Sequence, residues 1–491
     1  MSNLHLIFIS NRATQRLLRL LSVMESTTVF TIGEMAEKMQ VTYRTIANDI
    51  KFIKDYFVDC VTLTSGHTGF SFKEINPLKY RERKQNLLKN ECFFEIIKNI
   101  FLGKYMRVDE LAHHYHFSES TFRRLLGQSS PILAEYGLKW GLSPLTIEGN
   151  EANVRKFFKD LYYESSDMTD TLVPDSELPK CFMNQLQEKF GHNDIGSITA
   201  PAAFYYTLYI AIQRARIGFS VAVPKELMAL ARKGKSFVLI CSIKEVIKNI
   251  YGTDLSEEEF AWIYLVTICE RTVDREETEK NFYLHFNHGA EIANLTDEYL
   301  KEFEVEKDIK DQVNSFLRSF FLSRKINHIL APVLNKESPN IKERLLRSNN
   351  ENYYRNLRFL RKNQQEGFLA TPYLEDICVS LTIYNNLVFN FCAPSKNIYF
   401  LLEGDHYASQ QLRTQAVQHF GTKHSLTFLP LKSLTKEQLN EASVDLIVTN
   451  YSRYISEYVI ETDYLLIKVV PDEQDWCRLE RKINPYKRKL F

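Results

Sequence analysis

The sequence predicts a mainly α, multidomain protein, with two helical pairs near its start and a small α/β domain at its end. Three observations carry this. The 491 residues hold only 17 Gly and 14 Pro, and long stretches repeat their apolar residues at a helical period. One local pattern of small and apolar residues occurs twice before residue 140, at identical offsets. After Cys392 the period changes, and short apolar runs alternate with helical ones.

The repeated pattern comes first along the chain. Ala36 is followed by Val41 at five residues, Thr42 at six and Ile46 at ten. Ala112 is followed by Phe117, Ser118 and Phe122 at the same offsets. Two helices that cross steeply need a small residue at their contact, which explains the alanine. The apolar residue at five plugs the turn. Thr42 and Ser118 suit the N-cap of the second helix, because a hydroxyl oxygen accepts a free backbone N–H. Ile46 and Phe122 anchor that helix and leave its other face free.

The free faces carry the chemistry. The first offers Tyr43, Arg44, Thr45, Asn48 and Lys51, beside the cap Thr42. The second offers Ser120, Thr121, Arg123 and Arg124, beside Ser118. Arg and Asn can read base edges, while Ser, Thr and Lys hold phosphates. Each copy is followed by a hairpin pattern, VTLTSGHTGFSF and LKWGLSPLTIEG. Two winged helix-turn-helix units are therefore expected, with His67 and Lys139 as candidate wing contacts. One copy could be an ordinary helical hairpin. Two copies 76 residues apart, each with cap and hairpin, favour DNA binding. The turn position where glycine is common holds Gln40 and His116, so a left-handed turn is not expected there. A basic stretch from Lys79 to Arg107 reads equally as a phosphate-facing helix or a solvated one.

Charge supports the assignment. The formal net charge is only +1, but residues 1–139 hold 19 basic and 14 acidic side chains, and the remainder holds 43 and 47. The N-terminal part is thus the place for a polyanion partner. The eight cysteines (Cys60, Cys92, Cys181, Cys241, Cys269, Cys378, Cys392, Cys477) form no CxxC pair, which excludes a zinc framework of that kind. No apolar run is long enough to span a membrane, and the start MSNLHLIFISNR lacks a signal-peptide pattern, so a cytoplasmic protein with no membrane partner is expected. Phosphate-loop, dinucleotide and HExxH motifs are absent, and His113, His114 and His116 lie on different helical faces. No catalytic residue, metal site or cofactor is expected.

A polar, Pro-containing stretch at 165–180 reads as a linker or long loop, residues 180–390 read as helical bundles, and the tail RLERKINPYKRKLF is basic. FYYTLYIAIQRARIG at 204–218 ends its apolar stripe at Arg214, and Ser256 with Glu259 reads as a capping box before a second helix. Boundaries are expected at 1–76 and 77–165 for the winged units, 166–280 and 281–393 for two helical modules, and 394–491 for the α/β domain.

This order of parts resembles the Mga/AtxA family of Gram-positive virulence regulators. The resemblance implies a DNA-binding transcriptional regulator, an activator and not an enzyme, with promoter DNA as partner. It implies that the helical modules are PRD-like, receiving a phosphotransferase-system signal from HPr and enzyme I by histidine phosphorylation. It also implies an EIIB-like last domain and a homodimer formed through that domain and the PRD-like ones. At the positions where such modules place histidine, this chain has Thr207, Val266 and Thr382. His192, His288 and His328 are the candidate acceptors, with His285 nearby. The EIIB enzyme's cysteine would follow the first strand, where Glu403, Gly404, Asp405 and His406 stand instead. A phosphotransferase carrier and an RNA-binding antiterminator are the alternatives. The first needs that missing thiolate, and the second begins with a short β-rich RNA module.

Overall fold

The computed structural model describes residues 3–89, 91–163, 179–180, 200–305, 307–365, 367–429, 435–458 and 460–483. His192, Cys181, most of the polar stretch 165–180 and the basic tail beyond Ile483 lie outside the described residues.

Side-chain caps set the first helices. After a short α1 (Asn3–Ile7), Asn11 accepts from the N–H groups of Ala13 and Thr14 and opens α2 (Arg12–Ser26). Thr31 opens α3 (Ile32–Met39) with a full capping box, its N–H donating to Glu34 at 2.8 Å. Thr42 opens α4 (Tyr43–Tyr56). The hairpin β1 (Val61–Gly66) and β2 (Gly69–Glu74) follows, its tip being His67–Thr68. Phe30 adds a short third strand by exchanging both backbone hydrogen bonds with Phe70, at 2.9 and 2.7 Å. The approach is close. A Cβ on Gly69 would meet the Phe30 carbonyl oxygen at 2.5 Å, and Gly69 has φ 133°, so only glycine fits.

The second unit repeats this plan 76 residues on. Helix α5 (Pro77–Asn86) leads to α6 (Cys92–Phe101), α7 (Val108–His114) and α8 (Glu119–Glu135). Hairpin β3 (Lys139–Leu142) and β4 (Leu145–Glu148) follows, then α9 (Glu151–Tyr163). Leu145 N–H donates to Met106 at 2.9 Å, in the place of the Phe70–Phe30 bond. The second wing is shorter, with four strand pairs against six. The basic stretch is neither phosphate-facing nor merely solvated along its whole length. Lys79 and Arg83 of α5 pair with Asp59, and Lys84 pairs with Glu25 at 2.9 Å, so α5 is stapled to the first unit. The Lys79 hydrogen bond holds the Asp59 carboxyl below its usual range.

Among the described residues, α10 (Pro201–Arg216), α11 (Lys225–Arg232), α12 (Lys235–Cys241), α13 (Lys244–Tyr251) and α14 (Glu257–Ile268) follow. The capping box expected at Ser256 and Glu259 forms only by half. Ser256 Oγ accepts from the Glu259 N–H at 3.3 Å, but the Glu259 carboxylate turns inward to Arg155 and the Val221 N–H. A buried guanidinium outcompetes a neutral backbone donor for that carboxylate.

The chain folds as two compact units. One holds residues 1–272, 322–343 and 364–377, and the other holds 273–321, 344–363 and 378–491. The second contains α15 (Glu276–Phe286), α16 (Glu291–Glu302) and parts of α17 (Lys307–Leu330), α18 (Pro339–Lys362) and α19 (Leu374–Cys392). Inside it Tyr299 donates to Asn356 at 2.7 Å, and Asn356 donates to Thr382 at 2.9 Å.

The α/β part of this unit is a parallel sheet in the order β6-β5-β7-β8. Its strands are β5 (Asn397–Leu401), β6 (Ser425–Phe428), β7 (Leu446–Thr449) and β8 (Tyr464–Leu466). Alternation places Ile398, Phe400, Leu446 and Val448 on one face, against α20 (His406–Phe420) and α23 (Glu473–Ile483). Leu401 and Ile447 face the other way, against α21 (Lys436–Leu439) and α22 (Arg453–Glu457). Buried on both faces, the strands read as continuous apolar runs. Among the described residues no helix is long and apolar enough to cross a membrane.

Candidate nucleic-acid interface

The identical offsets have a backbone cause. Ala36 stands three positions before the end of α3, and Ala112 two positions before the end of α7. Their carbonyls accept from the N–H groups of Val41 (3.0 Å) and Phe117 (2.8 Å). Gln40 and His116 donate one residue inward, to Glu37 and His113 at 3.1 and 3.2 Å. Each unit thus ends its first helix in the same Schellman turn, with the apolar residue at five as its closing plug. This turn requires a left-handed residue. Gln40 (φ 55°) and His116 (φ 59°) both adopt it, contrary to the expectation from the missing glycines. Two backbone bonds and a half-buried plug outweigh a cost of about 1–2 kcal/mol. Replacing Gln40 or His116 by Gly is therefore expected to raise stability by about 1 kcal/mol, read as a higher melting temperature.

The second helix begins immediately. Thr45 N–H donates to Thr42 Oγ1 at 3.2 Å, and Thr121 N–H donates to Ser118 Oγ at 3.2 Å. The hydroxyls of Thr45 and Thr121 lie 2.9 and 2.8 Å from the same cap oxygens. The pairs Thr42–Thr45 and Ser118–Thr121 are therefore engaged with each other at the helix start. Ile46 and Phe122 are fully buried beneath them.

The exposed faces of α4 and α8 are alike in position and unlike in chemistry. On α4, Tyr43, Arg44, Asn48 and Lys51 are exposed, Tyr43 at 62%. Arg44 has no ion pair among the described residues. On α8, Ser120, Arg123 and Arg124 are exposed. Arg123 pairs with Glu119 one turn back, at 2.8 Å, whereas Arg124 has no ion pair among the described residues. Helix α4 is held from behind. Arg16 of α2 grips Asp49 with two hydrogen bonds, at 2.6 and 3.0 Å, and that bond raises the arginine's own pKa. Sequence reasoning missed this pair because its members stand 33 residues apart.

The two candidate wing residues are placed differently. His67 sits exposed at the tip of the first hairpin. Lys139 sits at the open end of the second, 3.4 Å from its cross-strand neighbour Glu148. The candidate phosphoacceptors also differ. His288 is exposed. His328 is half-buried, its Nδ1 has no hydrogen-bond partner among the described residues, and burial lowers its pKa. Thr207 and Thr382 are buried and donate to the carbonyls of Ala203 and Cys378, at 3.0 and 2.8 Å. After β5, Glu403 is tied to Asn450 and Tyr454, and Asp405 caps α20. That loop holds two carboxylates and an exposed His406.

Residues 78–162 match the Mga helix-turn-helix domain, a stretch that spans α6 to β4 and all but the last residue of α9. The chain is 19% identical over 471 residues to the capsule synthesis positive regulator AcpB of Bacillus anthracis, covering 92% of this chain and 94% of that protein. It is 23% identical over 299 residues to the capsule synthesis positive regulator AcpA of the same organism, covering 58% and 60%. It is 22% identical over 264 residues to the anthrax toxin expression trans-acting positive regulator of that organism, covering 52% and 53%. None of these relatives is named as an enzyme.

Proposed function

Because the chain belongs to the Mga/AtxA type of regulators, we propose that it binds promoter DNA through both winged units and activates transcription. The observation that carries this is the repeated construction of α4 and α8. Each is capped, anchored and turned in the same way, and each leaves an exposed arginine without an ion pair, Arg44 and Arg124, on its free face. Such a helix presents guanidinium donors to a groove while its hidden face stays fixed.

The test is direct. Arg44→Ala and Arg124→Ala are each expected to weaken binding of a duplex from the regulated promoter by about 1–3 kcal/mol, with the melting temperature unchanged. Wild-type affinity should also fall linearly with the logarithm of salt, by about 0.9 per phosphate neutralised. Unchanged affinity in both variants overturns the site assignment.

The regulatory reading rests on the same family. The helical modules are taken as PRD-like, with His288 the candidate acceptor most open to HPr among the described residues. The last domain is taken as EIIB-like and as the seat of a homodimer. Its sheet edge and the following loop expose Tyr464, Leu466, Val469 and Val470. The genes served would be virulence genes, as the relatives' names suggest, and the place of action the cytoplasm. A phosphocarrier is disfavoured by the loop after β5, and an antiterminator by the winged units. Tighter binding to hairpin RNA than to duplex DNA would reverse the second judgement.

A further inference from the structure

Residues 3–11 do more than lead into α2. Successive residues of this segment face different units. Leu6 and Ile9 enter the core of the first winged unit, among Leu17, Leu21, Ile50 and Ile53. His5 and Phe8 turn the other way. His5 is fully buried, with Nε2 2.6 Å from the Leu161 carbonyl of α9. Phe8 packs between Phe93 of α6 and Phe157 of α9, with ring centroids 6.5 and 6.1 Å away. Glu91, just before α6, then takes hydrogen bonds from the Ser10 N–H (2.6 Å), the Ser10 hydroxyl (2.7 Å) and the Asn11 N–H (3.4 Å). Asn11 is the residue that caps α2.

The units are also joined in the ordinary way, through α5. That helix belongs to the first unit, since its Tyr80, and Leu88 just after it, lie in that unit's core and Lys84 reaches Glu25. Two winged units joined by one linker can swivel about it. Here a second, separate strap closes the joint, buried on both sides and fastened by a carboxylate. Swivelling would pull Phe8 from between two aromatic rings and leave Glu91 without its three donors, and both losses oppose it.

We infer that the two winged units form one rigid reader, which takes duplex DNA only where two contact regions lie at one fixed spacing and one helical phase. The inference rests on the proposed DNA binding and adds the geometry of the ligand. The mild positive charge of the N-terminal part agrees with it. Two modest sites held in register gain a large effective concentration, whereas two swivelling ones spend part of it on ordering.

Two measurements on the full chain test this. First, hydrogen exchange without DNA: the N–H groups of Phe8, Ile9 and Ser10, bonded to His5, Leu6 and Glu91, should be protected, and Glu91→Ala should release Ser10. Exchange at the rate of an unstructured peptide overturns the strap, whatever the protein binds. Second, a protected promoter duplex is lengthened between its two protected segments by 5 or by 10 base pairs, about a half and a full turn. Both insertions are expected to weaken binding on the order of 100-fold. Full recovery with the 10-base-pair insertion means a flexible tether and overturns the inference. Tolerance of both insertions does the same. Binding to no duplex at all overturns the DNA reading, and the spacing inference with it, while leaving the exchange result to stand alone.

Discussion

Arg155→Ala is expected to lower stability by about 3–5 kcal/mol, read by calorimetry as an earlier transition of the unit that holds residues 1–272. Arg155 of α9 is fully buried, as is Glu259 of α14, and two hydrogen bonds of 2.5 and 2.9 Å join them. The Arg155 Nε donates to Glu151 at 2.9 Å, and its guanidinium lies 5.0 Å from the centre of the Trp262 ring. Glu151 is gripped in turn by Arg214, at 2.9 and 2.7 Å.

The expected loss comes mainly from what the variant leaves behind. Truncation to alanine strands the Glu259 carboxylate in the interior with the Val221 N–H as its remaining donor at 3.1 Å. An uncompensated buried charge is costly, whereas the intact pair adds little over a well-packed apolar one. Two controls follow from this. Arg155→Lys keeps the charge but loses the fork, so a smaller loss is expected. Adding Glu259→Gln to Arg155→Ala should restore part of the stability, because the stranded group is then neutral. The network also joins α9, which follows the second hairpin, to α10 and α14. Its rupture should therefore loosen that junction before it touches α4.

The parts that were legible in the sequence are those built over short distances. The spacing of Ala36, Val41, Thr42 and Ile46 records a helix end, a plug, a cap and an anchor, all within one turn-and-helix. Its copy at Ala112 confirmed the meaning by repeating it. The left-handed turns at Gln40 and His116 went unread because residue preference favours glycine there, while the backbone bonds of the turn override that preference. Glu259 was misread as a capping group because Ser256 stands three residues before it, and the competing partner stands 104 residues away. The strap was invisible for the same reason. Nothing local in LHLIFIS distinguishes a residue facing Phe93 from one facing Ile50.

Phe122→Ala is expected to cost about 3–5 kcal/mol, and to abolish the second unit's DNA binding through loss of fold. Phe122 is fully buried at the tenth position of the repeated pattern. Its ring stacks on Phe93 of α6 at 5.9 Å, with 4° between planes, and meets the turn plug Phe117 at 6.2 Å. Removing it leaves a cavity where α6, the turn and α8 converge, and Phe93 is also a wall of the Phe8 pocket. The damage should therefore reach the strap, raising exchange at Phe8 and Ile9. Arg124, two residues on, faces outward, and its removal leaves every one of these contacts in place. The two variants separate fold from recognition. Phe122→Ala should lose binding and melt early, Arg124→Ala should lose affinity at an unchanged melting temperature, and early melting of both would mean that α8 is held by its exposed face as well.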